Sequence, residues 1–348
     1  MHSPLQRVNP TRRLARVTVL VLSVGLIATA CSSDSSQEST NLTVYSGRGE
    51  DLIQPVLDLF EERTGIAVDV RYGSSSEMAL LIDTEGERSP ADVFISQSPG
   101  AVGFLEQQDR LELLTDSIIG RVSDDFSGAD NRWVGITGRV RVLVYNTDAV
   151  DPADLPGSFL ELTETAYAGR VGVAPGNGSF QDFVTAVRSD LGDAATLTWL
   201  RGMAANGSPN YPKNSAIVDA VARGEVDMGL VNHYYLVEAL EEDPSLPAAN
   251  HVFPEGDLGS LLIVSAAAIL DSSDNKDAAT DLLEFLLSDD AQALSANAEK
   301  EYPLVGGIAQ PEGLLPLDDL AAAVIDLNVL AGGLSGTQEL IDQSDLSQ

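Results

Sequence analysis

From Asn41 onward, short apolar runs closed by glycine or polar turns alternate with stretches whose apolar residues recur at helical spacing. That is the grammar of an α/β protein. Leu42 to Tyr45 predicts a first strand, Ser46-Gly47-Arg48-Gly49 a glycine-rich turn, and Glu50 to Arg63 a helix with Ile53, Leu57 and Phe60 on its inner face. Ile66 to Tyr72 reads as a second strand, Ser76 to Glu85 as the next helix, and Ala91 to Ser96 as a strand entering a turn at Gln97 to Gly100. Trp133 to Asn146 alternates apolar and polar residues over an unusual length for one strand. A strand that long can cross from one lobe to another, which is what a hinge needs.

The second half repeats this order without repeating the sequence. Val171 to Ala174 predicts a strand, Gly176-Asn177-Gly178-Ser179 a turn, and Phe180 to Leu191, Ala194 to Ala205 and Asn214 to Ala222 three helices. Asp227 to Val231 is a strand running straight into Asn232-His233-Tyr234-Tyr235. Leu261 to Ala268 reads as the return crossing, and Asp277 to Leu287, Asp290 to Ala298 and Leu317 to Leu327 as closing helices. The predicted architecture is α/β and two-lobed, with hinge-crossing strands and a cleft between the lobes. Residues 41–138 and 266–315 are assigned to lobe 1, and residues 139–265 and 316–348 to lobe 2.

The first thirty residues do not belong to this pattern. Arg7, Arg12, Arg13 and Arg16 form a basic leader, and an apolar run from Val17 to Ala30 ends just before Cys31, the only cysteine in the chain. Residues 1–30 therefore read as an export signal. The run is too short for a comfortable membrane span, and no later apolar stretch reaches about 18 residues. The pattern is similar to a bacterial lipoprotein signal, with Ala28 where Leu is usual. It implies that Cys31 is lipidated and becomes the new N-terminus; the alternative is an ordinary cysteine in a signal cleaved nearby. A lone cysteine in an exported chain has no internal disulfide partner. Residues 31–40 are polar and serine-rich and read as a flexible linker. The expectation is an extracytoplasmic monomer, held at the cell membrane by lipid alone.

Removing the leader leaves 16 basic against 53 acidic residues, a formal charge of −37. Phosphate backbones need a basic face, so nucleic acid is excluded as a partner. The roughly 310 residues that follow the leader suffice for two domains with real cores.

Candidate chemistry narrows next. Downstream of the leader there are two histidines, His233 and His251, and neither lies in a nucleophile motif. Gly176-Asn177-Gly178-Ser179-Phe180 lacks the glycine that a nucleophile elbow places after its serine. There is no phosphate loop, no dinucleotide fingerprint and no His-Glu-x-x-His. The chain is therefore read as a binding protein and not an enzyme, a secreted hydrolase or transferase being the disfavoured rival. Zinc and copper sites want histidine and thiolate ligands that are missing. Oxygen chemistry remains, and Tyr234-Tyr235 is the most informative dipeptide. Phenolate matches a hard trivalent cation such as Fe³⁺, and metal binding can displace a phenol proton whose free pKa is about 10. Neighbours on a strand point to opposite faces, so both phenols reach one ion only if the strand has ended. The apolar run stops at Val231. Core packing, or a stacking platform for an organic ligand, remains the alternative for the pair.

Leu42-Thr43-Val44-Tyr45-Ser46-Gly47-Arg48, Ser89-Pro90-Ala91-Asp92-Val93-Phe94, Gly138-Arg139-Val140-Arg141-Val142-Leu143-Val144-Tyr145-Asn146, Gly178-Ser179-Phe180-Gln181, Lys213-Asn214-Ser215, Asn232-His233-Tyr234-Tyr235 and Glu301-Tyr302-Pro303-Leu304 follow one another along the chain. This ordered set resembles the bacterial ferric-ion-binding proteins, the periplasmic subunits of iron ABC importers. The resemblance implies the periplasmic-binding-protein fold, Fe³⁺ as ligand and an ABC permease as partner. It implies that Tyr234 and Tyr235 bind the metal. It also implies a synergistic anion, carbonate or phosphate, near Ser46, Arg48, Asn177, Gly178, Ser179, Asn214 and Asn232. This chain departs from the family in having Gly49 where some relatives place histidine, Gln97 where some place glutamate, and Ser179 where others supply tyrosine. Glu50 falls where some relatives carry a tyrosine ligand, so Glu50 and Gln97 are taken as further candidate metal ligands. His233 is expected to face away as a local hydrogen-bonding residue. The alternative function within the binding class is capture of an organic or oxyanionic solute such as thiamine, a phosphonate or a sugar phosphate.

Overall fold

The computed structural model describes residues 41–348, except 315, 318, 319, 321, 322, 324, 331, 332 and 348. The expected export signal and linker, with Cys31, lie outside the described residues.

The chain opens with β1 (Asn41–Ser46), α1 (Glu50–Thr64), β2 (Ala67–Tyr72), α2 (Ser75–Glu85), β3 (Val93–Ser96), α3 (Pro99–Gln107) and the short α4 (Asp116–Ile119). β4 (Val134–Asn146) follows, then β5 (Val171–Gly172), α5 (Gly178–Leu191), α6 (Asp193–Ala205), α7 (Asn214–Ala222), β6 (Met228–Asn232), α8 (Tyr234–Glu242) and β7 (Ala248–His251). The last stretch holds β8 (Leu262–Ile269), α9 (Lys276–Leu286), α10 (Asp289–Glu299), β9 (Tyr302–Pro303) and α11 (Leu334–Gln343).

The strands run β2-β1-β3-β8-β4-β6-β5, and both β7 and β9 also pair with β4. β1 is parallel to β2 and β3, whereas β8 is antiparallel to β3 and β4. β4 is the hinge strand. Its first half, Val134 to Val140, pairs with β8, and its second half, Arg141 to Asn146, pairs with β6 and β7. Each half thus belongs to a different sheet, with helices packed around both. Every residue of β4 except Tyr145 is buried, as befits a strand with neighbours on both edges. The predicted crossing by Leu261 to Ala268 is corrected: β8 finds all its partners in the first sheet, so the chain changes sheets in residues 252–261.

Four helices go beyond the predicted set. α3 begins at Pro99, a residue suited to the first helical turn because its missing N–H would have no partner there. The turn expected at Gln97 to Gly100 therefore ends at Ser98, which is the N-cap. α4, α8 and α11 are the other three. Conversely, the described residues of the stretch from Leu317 to Leu327 form no α-helix. The Ala323 N–H donates to Ser260 and its carbonyl accepts from Leu262, which diverts that backbone from a helical ladder to a bridge beside β8.

A buried polar knot ties the loop after β1 to the hinge strand. Arg48 is fully buried and pairs with Glu299 at the end of α10 and, at 3.2 Å, with Glu301 just beyond it. Glu301 also accepts from Thr137 of β4, where the register of β4 on β8 shifts between Gly135 and Thr137. Burial pushes the Glu299 carboxyl up to about 8, against the pull of Arg48. Burial opposes ionisation of Glu301 as well, but Arg48 and Arg139 outweigh it and hold that carboxyl low. At neutral pH one buried carboxylate thus neutralises Arg48. Glu301→Ala should strand the guanidinium and lower stability by about 3–5 kcal/mol, measured by urea unfolding at pH 7; a loss under about 1 kcal/mol would mean that Glu299 ionises and takes over.

Candidate ligand-binding site

The tyrosine pair stands where a strand gives way to a helix. β6 ends at Asn232, His233 already has helical torsions (φ −55°, ψ −38°), and Tyr234 is the first residue of α8. Successive side chains on a helix are about 100° apart, against opposite faces on a strand. The two rings accordingly lie side by side, their centroids 4.3 Å apart and their planes inclined by 36°. Tyr234 is 5% exposed and Tyr235 half-buried. Burial raises the Tyr234 phenol well above its ordinary pKa, and the neighbouring Tyr235 and Glu301 push in the same direction, while Arg139 pulls the other way.

His233 holds this junction in place. Its Nδ1 accepts from the Val140 N–H at 3.1 Å, so the proton resides on Nε2, which donates to the Lys300 carbonyl at 2.9 Å. Burial lowers its pKa to about 4, which keeps the ring neutral at ordinary pH. Its expected role as a local hydrogen-bonding residue matches these contacts.

Asn232 links the pair to two arginines that the sequence reading did not single out. Its Oδ1 accepts from Arg141 Nη1 at 3.0 Å, and its Nδ2 donates to Ser179 Oγ at 3.1 Å and reaches Tyr234 Oη at 3.5 Å. Arg139 Nε donates to Ser179 Oγ at 3.4 Å. Among the described residues, Nη1 and Nη2 of Arg139 and Nε and Nη2 of Arg141 are buried without a hydrogen-bond partner, as are both amide atoms of Asn214. Burial, together with Arg139, depresses the Arg141 pKa to about 10. Buried donors in such numbers are rare in folded proteins. They have the chemistry of a site for an oxyanion, whose oxygens would satisfy them.

The other predicted residues divide. Ser179 and Asn232 belong to this cluster, and Asn214 is buried at the start of α7. Asn177 caps α5, its Oδ1 accepting from the Ser179 N–H at 3.0 Å, and Gly178 lies exposed in the first turn of the same helix. Ser46 is turned inward on its own loop, its hydroxyl donating to the Arg48 carbonyl at 3.0 Å and accepting from the Arg48 N–H at 3.1 Å. Arg48, expected to face an anion, is instead spent on Glu299 and Glu301, two carboxylates that compete for the same donors. Glu50 is exposed at the start of α1 and its charge acts on Tyr72; no contact joins it to the tyrosine pair among the described residues. Gln97 is half-buried and lines an interlobe cavity of about 670 Å³ together with Gly47, Gly178 and Asp182. Gly47 is required there, because a Cβ at that position would lie 2.7 Å from Ser75 Cα.

Comparison with known proteins follows the same lines. The family model for bacterial extracellular solute-binding proteins matches residues 45–293. The major ferric iron-binding protein of Neisseria meningitidis is 34% identical over 310 residues, covering 88% of this chain and 93% of that protein. The Fe(3+)-binding periplasmic protein of Serratia marcescens is 29% identical, covering 90% and 94%. Among solved structures, iron-bound HitA from Pseudomonas aeruginosa superposes with a TM-score of 0.83 at 32% identity, covering 88% of this chain and 99% of that one.

Asp182, one turn along α5 from Ser179, faces the arginines and is missing from the predicted set. Burial pushes its carboxyl up to about 6, against the pull of Arg139, Ser98 and Arg141. The folded chain therefore binds a proton more tightly than the unfolded chain between about pH 4 and pH 6, so stability falls as pH rises through that window and stays lower above it. Asp182→Asn should raise the unfolding free energy at pH 7 by up to about 3 kcal/mol, with no gain below about pH 4. Urea titrations at the two pH values test this, and equal stability at pH 7 would show the carboxylate to be fully compensated.

Proposed function

The chain belongs to the bacterial ferric-ion-binding proteins within the bacterial extracellular solute-binding protein family, and from that premise we propose that it captures ferric iron in its interlobe cleft and hands it to an ABC permease. Tyr234 and Tyr235 supply two phenolates. The observation that carries this reading is the pairing of those rings at the start of α8 beside two buried arginines with unpaired N–H groups. Fe³⁺ with two phenolates retains one positive charge, and an oxyanion such as carbonate or phosphate would lower it further while satisfying Arg139, Arg141 and Asn214. The arginines in turn offset the cost of burying anionic oxygen. Gln97, on the cavity wall, is the predicted residue that would add a neutral oxygen donor.

In this reading the chain works as a monomer outside the cytoplasm, tethered through lipid on Cys31. Its two sheets close on the ion through motion about β4. Release follows reopening, protonation of phenolate, or reduction to Fe²⁺, which favours hard donors less.

Ferric iron supplied with bicarbonate or phosphate should produce a visible tyrosinate-to-iron absorption band, and Tyr235→Phe should abolish it. An unchanged spectrum in that variant would remove the pair from the site. Arg139→Ala combined with Arg141→Ala should weaken iron binding and make it indifferent to added anion, read by titration with and without bicarbonate. A retained anion dependence would place the anion elsewhere.

A further inference from the structure

We propose that Ser98 and Asp182 form a latch across the cleft that holds the two lobes together and slows the escape of bound ligand. The proposal rests on the iron reading only for the identity of what is retained. Ser98 follows β3 of the first sheet, and Asp182 lies in α5, which follows β5 of the second. Ser98 Oγ donates to Asp182 Oδ1 at 3.2 Å.

Both partners are held in position. The Ser98 turn is fastened by Ser96, whose hydroxyl donates to the Ser98 carbonyl at 2.6 Å and accepts from the Ser98 N–H at 3.3 Å. Asp182 is 9% exposed and lies in the field of Arg139 and Arg141. Capping does not account for it, because Asn177 is the N-cap of α5. A buried carboxylate with no structural duty in its own helix is costly, and its one neutral donor comes from the opposite lobe.

The surrounding surfaces are shaped for this approach. At Gly100, two residues after Ser98, a Cβ would sit 3.0 Å from the Leu330 carbonyl and 3.7 Å from Asp182 Oδ1. The turn Leu327–Leu330 packs against both α3 and α5, so the first turn of α3 closes onto α5 and this segment at one point. The contact borders the interlobe cavity, which Ser98, Gly100 and Asp182 all line. Because Asp182 also faces the arginines, the latch sits between the cleft rim and the charges of the proposed anion site.

The test uses Ser98→Ala, which removes the donor, and Gly100→Val, which keeps the Ser98 hydroxyl but wedges the approach against the Leu330 carbonyl and Asp182. Small-angle X-ray scattering on the ligand-free chain should give a larger radius of gyration for both variants. Transfer of ferric iron from the loaded chain to EDTA, followed by loss of the visible band, should be about tenfold faster, the scale of one hydrogen bond to a carboxylate. The position of the band should not change, and Ser98→Thr, which keeps the hydroxyl, should retain slow release. Unchanged scattering and release in both variants would overturn the latch. If the unsubstituted chain forms no ferric band, the metal reading fails by itself and the scattering comparison still decides the latch.

Discussion

Two guanidinium groups on one face of a buried strand need negative charge close at hand, and much of this molecule can be understood from how that need is met. Arg139 and Arg141 alternate along β4, so they share a side, and both are essentially inaccessible to water. Among the described residues, neither has a carboxylate hydrogen-bonded to it. What surrounds them is a ring of partial answers: the amide of Asn232, the hydroxyl of Ser179, two phenols and the carboxylate of Asp182. A cluster so arranged stores unmet electrostatic demand, which the anion and ferric ion of the proposed function would meet.

The contrast with Arg48 sharpens the point. That arginine is equally buried, yet it is matched by Glu299 and Glu301 and serves the framework. Three arginines in one region therefore have two fates, decided by whether a carboxylate from a distant part of the chain reaches them. Natural folds seldom leave buried charge uncompensated except where function uses it. Framework and cleft are joined through Arg139, whose charge acts on both Glu301 and Tyr234.

Much of the fold was legible because periodicity is local. The alternation from Trp133 to Asn146 announced the long hinge strand, and the end of the apolar run at Val231 announced the change of direction that brings the two tyrosines together. α3 stayed hidden because Pro99 and Gly100 fall in the stretch read as a turn, although proline suits a first helical turn. The lobe boundaries expected at 138/139 and 265/266 remain a reading of the sequence. The pairing of Arg48 was hidden for a different reason: its carboxylate partners are more than 250 positions away, and no local pattern reveals such a pairing. Arg139 and Arg141 did leave a signal. Charged residues at alternate positions in an otherwise apolar strand share a face that cannot be solvated, and that alone marks them as groups awaiting a partner.

The division of β4 between two sheets has a geometric consequence. Arg139 is registered against Ile263 in one sheet and Arg141 against Asn232 in the other, so the joint about which the halves of the molecule turn falls between them. Any bending there alters the separation and tilt of the two guanidinium planes. In the proposed function the cluster would thus be a protractor as well as a receptor, since an oxyanion bridging both forks would fix one angle between the halves.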